Sequence, residues 1–155
     1  MKQITLLIAS LIIATVSYAQ SFKEEVALLQ ATFGMEKKAI VGQFVHPEET
    51  VKDVFWKTYD EYEHKRKELG KKRLELLIKY SDTWENMNDA QADAFMKELF
   101  KLKSSTDRLL TTYFKKLKKI SSPKVATQFF QIESYILTVV RFQMQETIPF
   151  IAQEN

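Results

Sequence analysis

Residues 47–80, PEETVKDVFWKTYDEYEHKRKELGKKRLELLIKY, decide the fold. Val51, Phe55, Tyr59, Tyr62, Leu69, Leu76 and Tyr80 recur at close to heptad spacing, which places side chains on one face of a helix rather than on alternate faces of a strand. Pro47 is pre-organised for a first helical position, and Glu48 and Glu49 suit the positive end of a helix dipole. The stretch is read as one helix over 47–80. At 1.5 Å per residue it would be about 50 Å long, too long for a compact globule and suited to an extended hairpin. Arg66 and Arg73 interrupt the stripe where apolar residues otherwise sit. Each either snorkels outward over a packed stem or marks where the stripe opens to solvent or to a partner.

The same periodicity extends in both directions. Ser21 and Glu24 form a capping-box pattern, and Phe22, Val26, Leu29, Phe33, Ile40 and Phe44 follow, giving a helix over 22–44. Gly34 and Gly42 lie inside it, each costing about 1 kcal/mol relative to Ala, so a bend or fraying is expected there. Residues 81–88 lose the period and read as a loop. Asn88 stands three before Gln91, another capping arrangement, and Phe95, Leu99, Leu102, Leu109, Tyr113, Leu117 and Ile120 carry a third helix over 88–120. Ser122 and Pro123 open a fourth, over 122–148, with Val125, Phe129, Ile132, Ile136 and Val139 on its inner face and Pro149 as its stop. Three Gly and three Pro in 155 residues are too few turn formers for a many-stranded sheet. The expected fold is all-α: an elongated up-and-down four-helix arrangement of long helical hairpins in a single domain over 20–155. The aromatic stripe is read as its core.

Residues 1–19 have a different character. Lys2 is a short positive start, Leu6 to Val16 are apolar except for Ser10 and Thr15, and Ser17-Tyr18-Ala19 places small residues at the −3 and −1 positions of a cleavage site. This is the pattern of a secretory signal peptide cleaved near Ala19, and the apolar run is shorter than the roughly 20 residues that span a bilayer. The expectation is a protein exported to the periplasm or secreted. It has no cysteine, which excludes disulfides, thiol chemistry and a lipid-modified cysteine, so the domain is held by its core alone. A hydrophobic content of 45%, with eleven Phe, six Tyr and two Trp, suffices for that.

Catalytic readings find little to stand on. There is no Gly-rich phosphate loop, no Gly-x-Ser-x-Gly turn and no strand pattern to carry a hydrolase elbow, and no enzyme activity is expected. Glu61-x-x-His64 is half of a ferritin-like di-iron pattern, but the other histidine, His46, precedes a proline at a helix start. Two His and no Cys make a transition-metal site improbable, and no turn is acidic enough for calcium. Neither a metal nor another cofactor is expected, and His64 is read as an exposed helix residue.

Three segments resemble a known group. Phe55-Trp56-Lys57-Thr58-Tyr59-Asp60-Glu61-Tyr62 after a Pro-Glu-Glu start, Met87-Asn88-Asp89-Ala90-Gln91-Ala92, and Phe129-Phe130-Gln131-Ile132-Glu133 followed by Ile148-Pro149 resemble a family of uncharacterised exported bacterial all-helical proteins. That family is in turn distantly similar to the Spy and CpxP periplasmic proteins, whose signature is Leu-Thr-x-x-Gln; here Met87-Asn88-x-x-Gln91 keeps the Gln and a polar cap. The resemblance implies a long-helix cradle, with a homodimer as a further reading, that binds unfolded proteins or a sensor partner in the cell envelope. It carries no catalytic residue onto this chain.

Charge placement leads to the same class of partner. The overall net charge is only +3, so location matters more than total. His64-Lys65-Arg66-Lys67 and Lys71-Lys72-Arg73 lie in the second helix, and Lys115-Lys116-Leu117-Lys118-Lys119 end the third and continue to Lys124. Lysines in a last helical turn also complement the dipole. An exported protein is not expected to meet nucleic acid. The partners that fit are unfolded or envelope proteins, with a peripheral contact to anionic envelope lipid and a homodimer as further readings. The candidate partner-binding residues are Arg66, Arg73, Lys65, Lys67, Tyr59 and Tyr62, where charge would attract and apolar contact would retain. Met35, Met87, Met96 and Met144 read as gap fillers or as adaptable contact surface. Two functions are expected in turn: an ATP-independent holdase for unfolded envelope proteins, or an envelope stress-signalling adaptor that binds one sensor protein. On this reading, reversing both Arg66 and Arg73 leaves stability nearly unchanged. The tail from Phe150 to Ala152 either folds back over the bundle end or serves as a docking segment.

Overall fold

The computed structural model describes residues 37–146 and 148–151. The described residues form four helices and no strand: α1 over 37–44, α2 over Lys52–Ser81, α3 over Asp89–Ile120 and α4 over Pro123–Glu146. Short 3₁₀ turns at Glu49–Val51 and Trp84–Asn86 complete the order. The fold is all-α. The leader, the Ser21 cap, the apolar positions 22–33, Gly34 and Met35 lie outside the described residues.

Three local devices set the helix boundaries. At α3, the Gln91 backbone N–H donates to the Asn88 side chain, and the Asn88 N–H donates to Gln91 Oε1, each at 3.0 Å, so the expected capping box is present. At α4, Pro123 takes the first helical position and the Val125 N–H reaches Ser122 Oγ at 3.3 Å. At α2 the expectation needs correction: Pro47 is not its first residue. Glu48 is extended, and a 3₁₀ turn intervenes before Lys52 starts the α-helix without a side-chain cap. With 30 residues, α2 is about 45 Å long, and α3, with 32, about 48 Å.

Side-chain contacts fix the topology. Tyr62, in the first half of α2, meets Tyr113, in the second half of α3, and Tyr80 stacks on Phe95 at 4.6 Å beside the connecting loop, so these helices are antiparallel. Phe114 against Phe130 and Arg141 against Asp107 make α3 and α4 antiparallel in the same way. Lys37 and Lys38 reach Glu63 and Asp60, setting α1 beside the first half of α2. The main core joins all four helices through Val41, Val45, Phe55, Tyr59, Tyr62, Leu117, Phe129 and Ile136. A smaller cluster, Leu77 with Met144, Leu74, Phe95 and Ile148, closes the other end.

Two stripes shift from the expected register. In α2 the buried position is Leu77 rather than Leu76, which is half-buried. An ideal helix drifts by about 20° per heptad against a strict seven-residue repeat, so three heptads beyond Phe55 Leu76 has turned about 60° off the inner line while Leu77 lies within about 40° of it. In α1, Val41 and Val45 are buried while Phe44 is exposed. The tail is placed by one bond: the Tyr80 hydroxyl donates to the Pro149 carbonyl at 2.8 Å, and Ile148 packs on the second cluster, whereas Phe150 points into solvent.

Replacing Asn88 by Ala removes one half of the capping box and strands the N–H of Gln91. Urea unfolding followed by circular dichroism is expected to show a loss of about 1 kcal/mol with an unchanged slope.

Candidate partner-binding surface

The inner face of α4 carries one acidic residue among Phe129, Ile132 and Ile136. Glu133 is 0% exposed, and its carboxylate is fully used. Lys37 of α1 donates to Oε2 at 2.7 Å, the Tyr62 hydroxyl donates to the same oxygen at 2.8 Å, and the Tyr59 hydroxyl donates to Oε1 at 3.1 Å. Lys37, 1% exposed, also donates to Glu63 at 2.7 Å, and Glu63 accepts two bonds from Arg66, at 2.6 and 2.7 Å. A carboxylate enclosed among aromatic rings would be costly without such partners; here three donors satisfy it. Lys37 also lies 5.5 Å from the centroid of the Tyr62 ring, so the ring face adds to its stabilisation.

Ionisation in this network follows from burial and partner charge. Burial, the Glu133 charge and its hydrogen bond all push the Tyr59 and Tyr62 hydroxyls far above the ordinary phenol range. For Glu63, burial pushes upward, but the Arg66 hydrogen bond and the charges of Lys37 and Arg66 prevail and hold it below the usual carboxylate range.

Each of the six candidate residues can now be placed. Tyr59 and Tyr62 are enclosed in the core, and their hydroxyls are held by Glu133, so neither ring offers a surface contact. Arg66 is not a free cation: it is half-buried, and its guanidinium is clamped to Glu63. The expectation that its charge can be reversed without cost is corrected accordingly, because a carboxylate there would face Glu63 and Glu133. Arg73, one repeat further along the stripe, is half-buried and its enclosed Nε has no hydrogen-bond partner. Burial and the nearby Arg141 charge lower its pKa. Lys65 and Lys67 are exposed; Lys65 lies 5.6 Å from the Tyr113 ring centroid. The structure therefore divides the set into an internal network, Tyr59, Tyr62 and Arg66, a half-buried Arg73 outside that network, and the exposed pair Lys65 and Lys67.

Lys37 and Glu133 were not among the candidates. The signal was present, since Glu133 falls on the apolar stripe of α4 and Lys37 stands four residues from both Phe33 and Val41 in the sequence, but an isolated charge on a stripe does not name its partner. His64 lies on the outer face of α2, its Nε2 3.4 Å from Glu68. No group of three or more His, Cys, Asp or Glu among the described residues is placed to hold a metal ion. Of the candidate methionines, Met144 is buried, Met87 half-buried and Met96 exposed.

The exterior carries the unassigned chemistry. Arg108, Lys115, Lys118, Lys119 and Lys124 are exposed, and none forms an ion pair with a described residue. Phe100, Phe130, Tyr135 and Phe142 are exposed on the same two helices. No described helix is long and apolar enough to cross a membrane. Compared with protein-family models, with curated proteins and with solved structures, the chain matches none of them.

Two experiments follow from the network. Glu133→Ala removes the acceptor shared by Lys37, Tyr59 and Tyr62 and is expected to cost about 3–5 kcal/mol, while Lys37→Met combined with Glu133→Leu recovers part of that loss. A double-mutant cycle in urea reads the coupling. The second experiment is a pH titration of the thermal midpoint. Glu63 is depressed in the folded state, so its stabilisation is present above the unfolded value of 4.5 and is lost as pH falls through the lower folded value. Tyr59 and Tyr62 are raised, so theirs is present below the unfolded value of 10.0 and declines as pH rises beyond it. The expected profile falls at both ends, and Glu63→Gln flattens the acid side.

Proposed function

We propose that this chain is an exported helical binding protein that holds unfolded envelope proteins without ATP, in the manner that its resemblance to the Spy and CpxP group implies. The observation that carries the reading is the division of labour in the helices. Lys37, Tyr59, Tyr62, Glu63 and Arg66 satisfy one another around Glu133, while large apolar side chains and lysines without an ion partner among the described residues share the outside. A surface of that composition attracts a chain by charge and retains it by apolar contact without demanding one geometry. Export is proposed from the pattern of residues 1–19, and an exported chain with such a surface would meet unfolded envelope proteins. On α2 the contributing cations are Lys65 and Lys67; Arg66 serves the interior.

Suppression of aggregation is the direct test. Two unrelated unfolded proteins are diluted into buffer with and without the purified chain, at low and high salt. Suppression of both, weaker at high salt and saturating in the micromolar range, supports the holdase. Identical aggregation with and without the chain overturns it, and weight then passes to an adaptor with a single saturable envelope partner, sought by crosslinking in the native cell.

A further inference from the structure

Between Arg108 and Gln145 the only acidic residue is Glu133, and it is fully buried. From Arg108 to the end of α3, and over nearly all of α4, the exposed surface therefore contains no carboxylate; Asp107, just before this stretch, is exposed but held by Lys103 at 3.0 Å and by Arg141 at 3.5 Å. On α3, Ser104, Arg108, Thr111, Lys115 and Lys118 recur at intervals of three and four residues and share the outward face, where Phe100, Lys103, Asp107, Arg108, Thr111 and Lys115 line a shallow groove. On α4, Gln131, Tyr135, Thr138, Phe142 and Gln145 do the same, all exposed and all uncharged. Tyr135 is 67% and Phe142 61% exposed. The two faces adjoin along a seam marked by Phe114 against Phe130 and by Asp107 against Arg141.

We infer that this α3–α4 face is a docking surface for an extended polypeptide segment that carries carboxylates beside apolar side chains. The inference rests on the binding function proposed above and names where, and to what chemistry, that binding occurs. Charge complementarity selects the occupant. Arg108, Lys115, Lys118, Lys119 and Lys124 lack intramolecular ion partners among the described residues, and the one exposed carboxylate beside them, Asp107, is already held by Lys103 and Arg141. The neighbouring α4 face supplies two aromatic rings for apolar side chains. Its Gln and Thr groups can exchange hydrogen bonds with an extended backbone. Those same amides and hydroxyls oppose insertion into acyl chains, where they would lose water without gaining partners. A second copy fits no better, since a self-complementary interface must draw its partners from this same face, whose one exposed carboxylate, Asp107, is already held by Lys103 and Arg141.

The test measures binding of a fluorescein-labelled peptide that alternates Glu with Leu and Phe, and of a copy with Gln in place of Glu, by fluorescence anisotropy with the purified chain. The acidic peptide is expected to bind about tenfold more tightly at low salt, with the difference shrinking at high salt. Tyr135→Ser with Phe142→Ser weakens both peptides alike. Lys115→Glu with Lys118→Glu and Lys119→Glu removes the preference for the acidic peptide. These positions are exposed, so circular dichroism and the thermal midpoint stay close to those of the parent and separate lost binding from lost folding. Equal binding of the two peptides overturns the inference. So does unchanged affinity in both variants when substitution of Lys65 and Lys67 abolishes binding, an outcome that leaves the holdase reading standing on α2. Binding to phosphatidylglycerol vesicles but to neither peptide assigns the face to lipid, and a dimer dissociated by the aromatic substitutions assigns it to a second copy; either result also overturns the inference. A chain that binds no peptide and suppresses no aggregation removes the function together with the site.

Discussion

The carboxylate of Glu133 is the point on which the four helices agree. It belongs to α4, takes a proton donor from α1 and two from α2, and lies within the aromatic cluster that α3 closes with Tyr113 and Leu117. Apolar packing tolerates small slides and rotations, because one methyl group replaces another at little cost. A buried carboxylate with three specific donors does not. If α1 or α4 moved by one turn, Lys37 and Glu133 would each be left charged without their mutual partner, a penalty well beyond that of a repacked leucine. The aromatic rings supply the bulk of the core, and the network selects one alignment among the many that the rings would accept.

The two stripe arginines separate these roles. Arg66 balances Glu63, which would otherwise be a second carboxylate beside Glu133 with only Lys37 to hold it. Arg73 has no such task. Its Nε is enclosed and unpaired, and Arg141 across the bundle adds a like charge. The end of the bundle nearer the α2–α3 loop is thus less completely satisfied than the Glu133 end, and it relies on Leu77, Met144 and the Tyr80 hydroxyl on Pro149 for cohesion.

Much of the fold was legible in the sequence because helices declare themselves through spacing. The Asn88–Gln91 box, Pro123 at a helix start and the stripe through Phe55, Tyr59 and Tyr62 all follow from local rules that need no knowledge of neighbours. Pro47 misled because a proline favours the first turn without compelling it, and the chain inserted a 3₁₀ turn before α2. Site residues were harder to read. Tyr59 and Tyr62 look alike as core rings or as contact rings until Glu133 is found opposite their hydroxyls. Arg66 looks free until Glu63 is seen to turn toward it. The acid-free span from Arg108 to Gln145 could be counted in the sequence except at one position, and only the fold shows that Glu133 does not reach the surface. Burial of a single charge, a long-range property, changes the electrostatic character of an entire face.

The Lys37–Glu133 bond also has a consequence for the order of assembly. Helices α2, α3 and α4 are sequential neighbours joined by short turns, so their pairings close small loops and cost little chain entropy. Lys37 can meet Glu63 early, 26 residues away, but Glu133 lies 96 residues away. During synthesis from the N-terminus, Lys37 is made long before the residue that completes its coordination. Of the described helices, the one made first is therefore the last to be locked, and until α4 emerges it is held to the growing chain by only half of its ion pair.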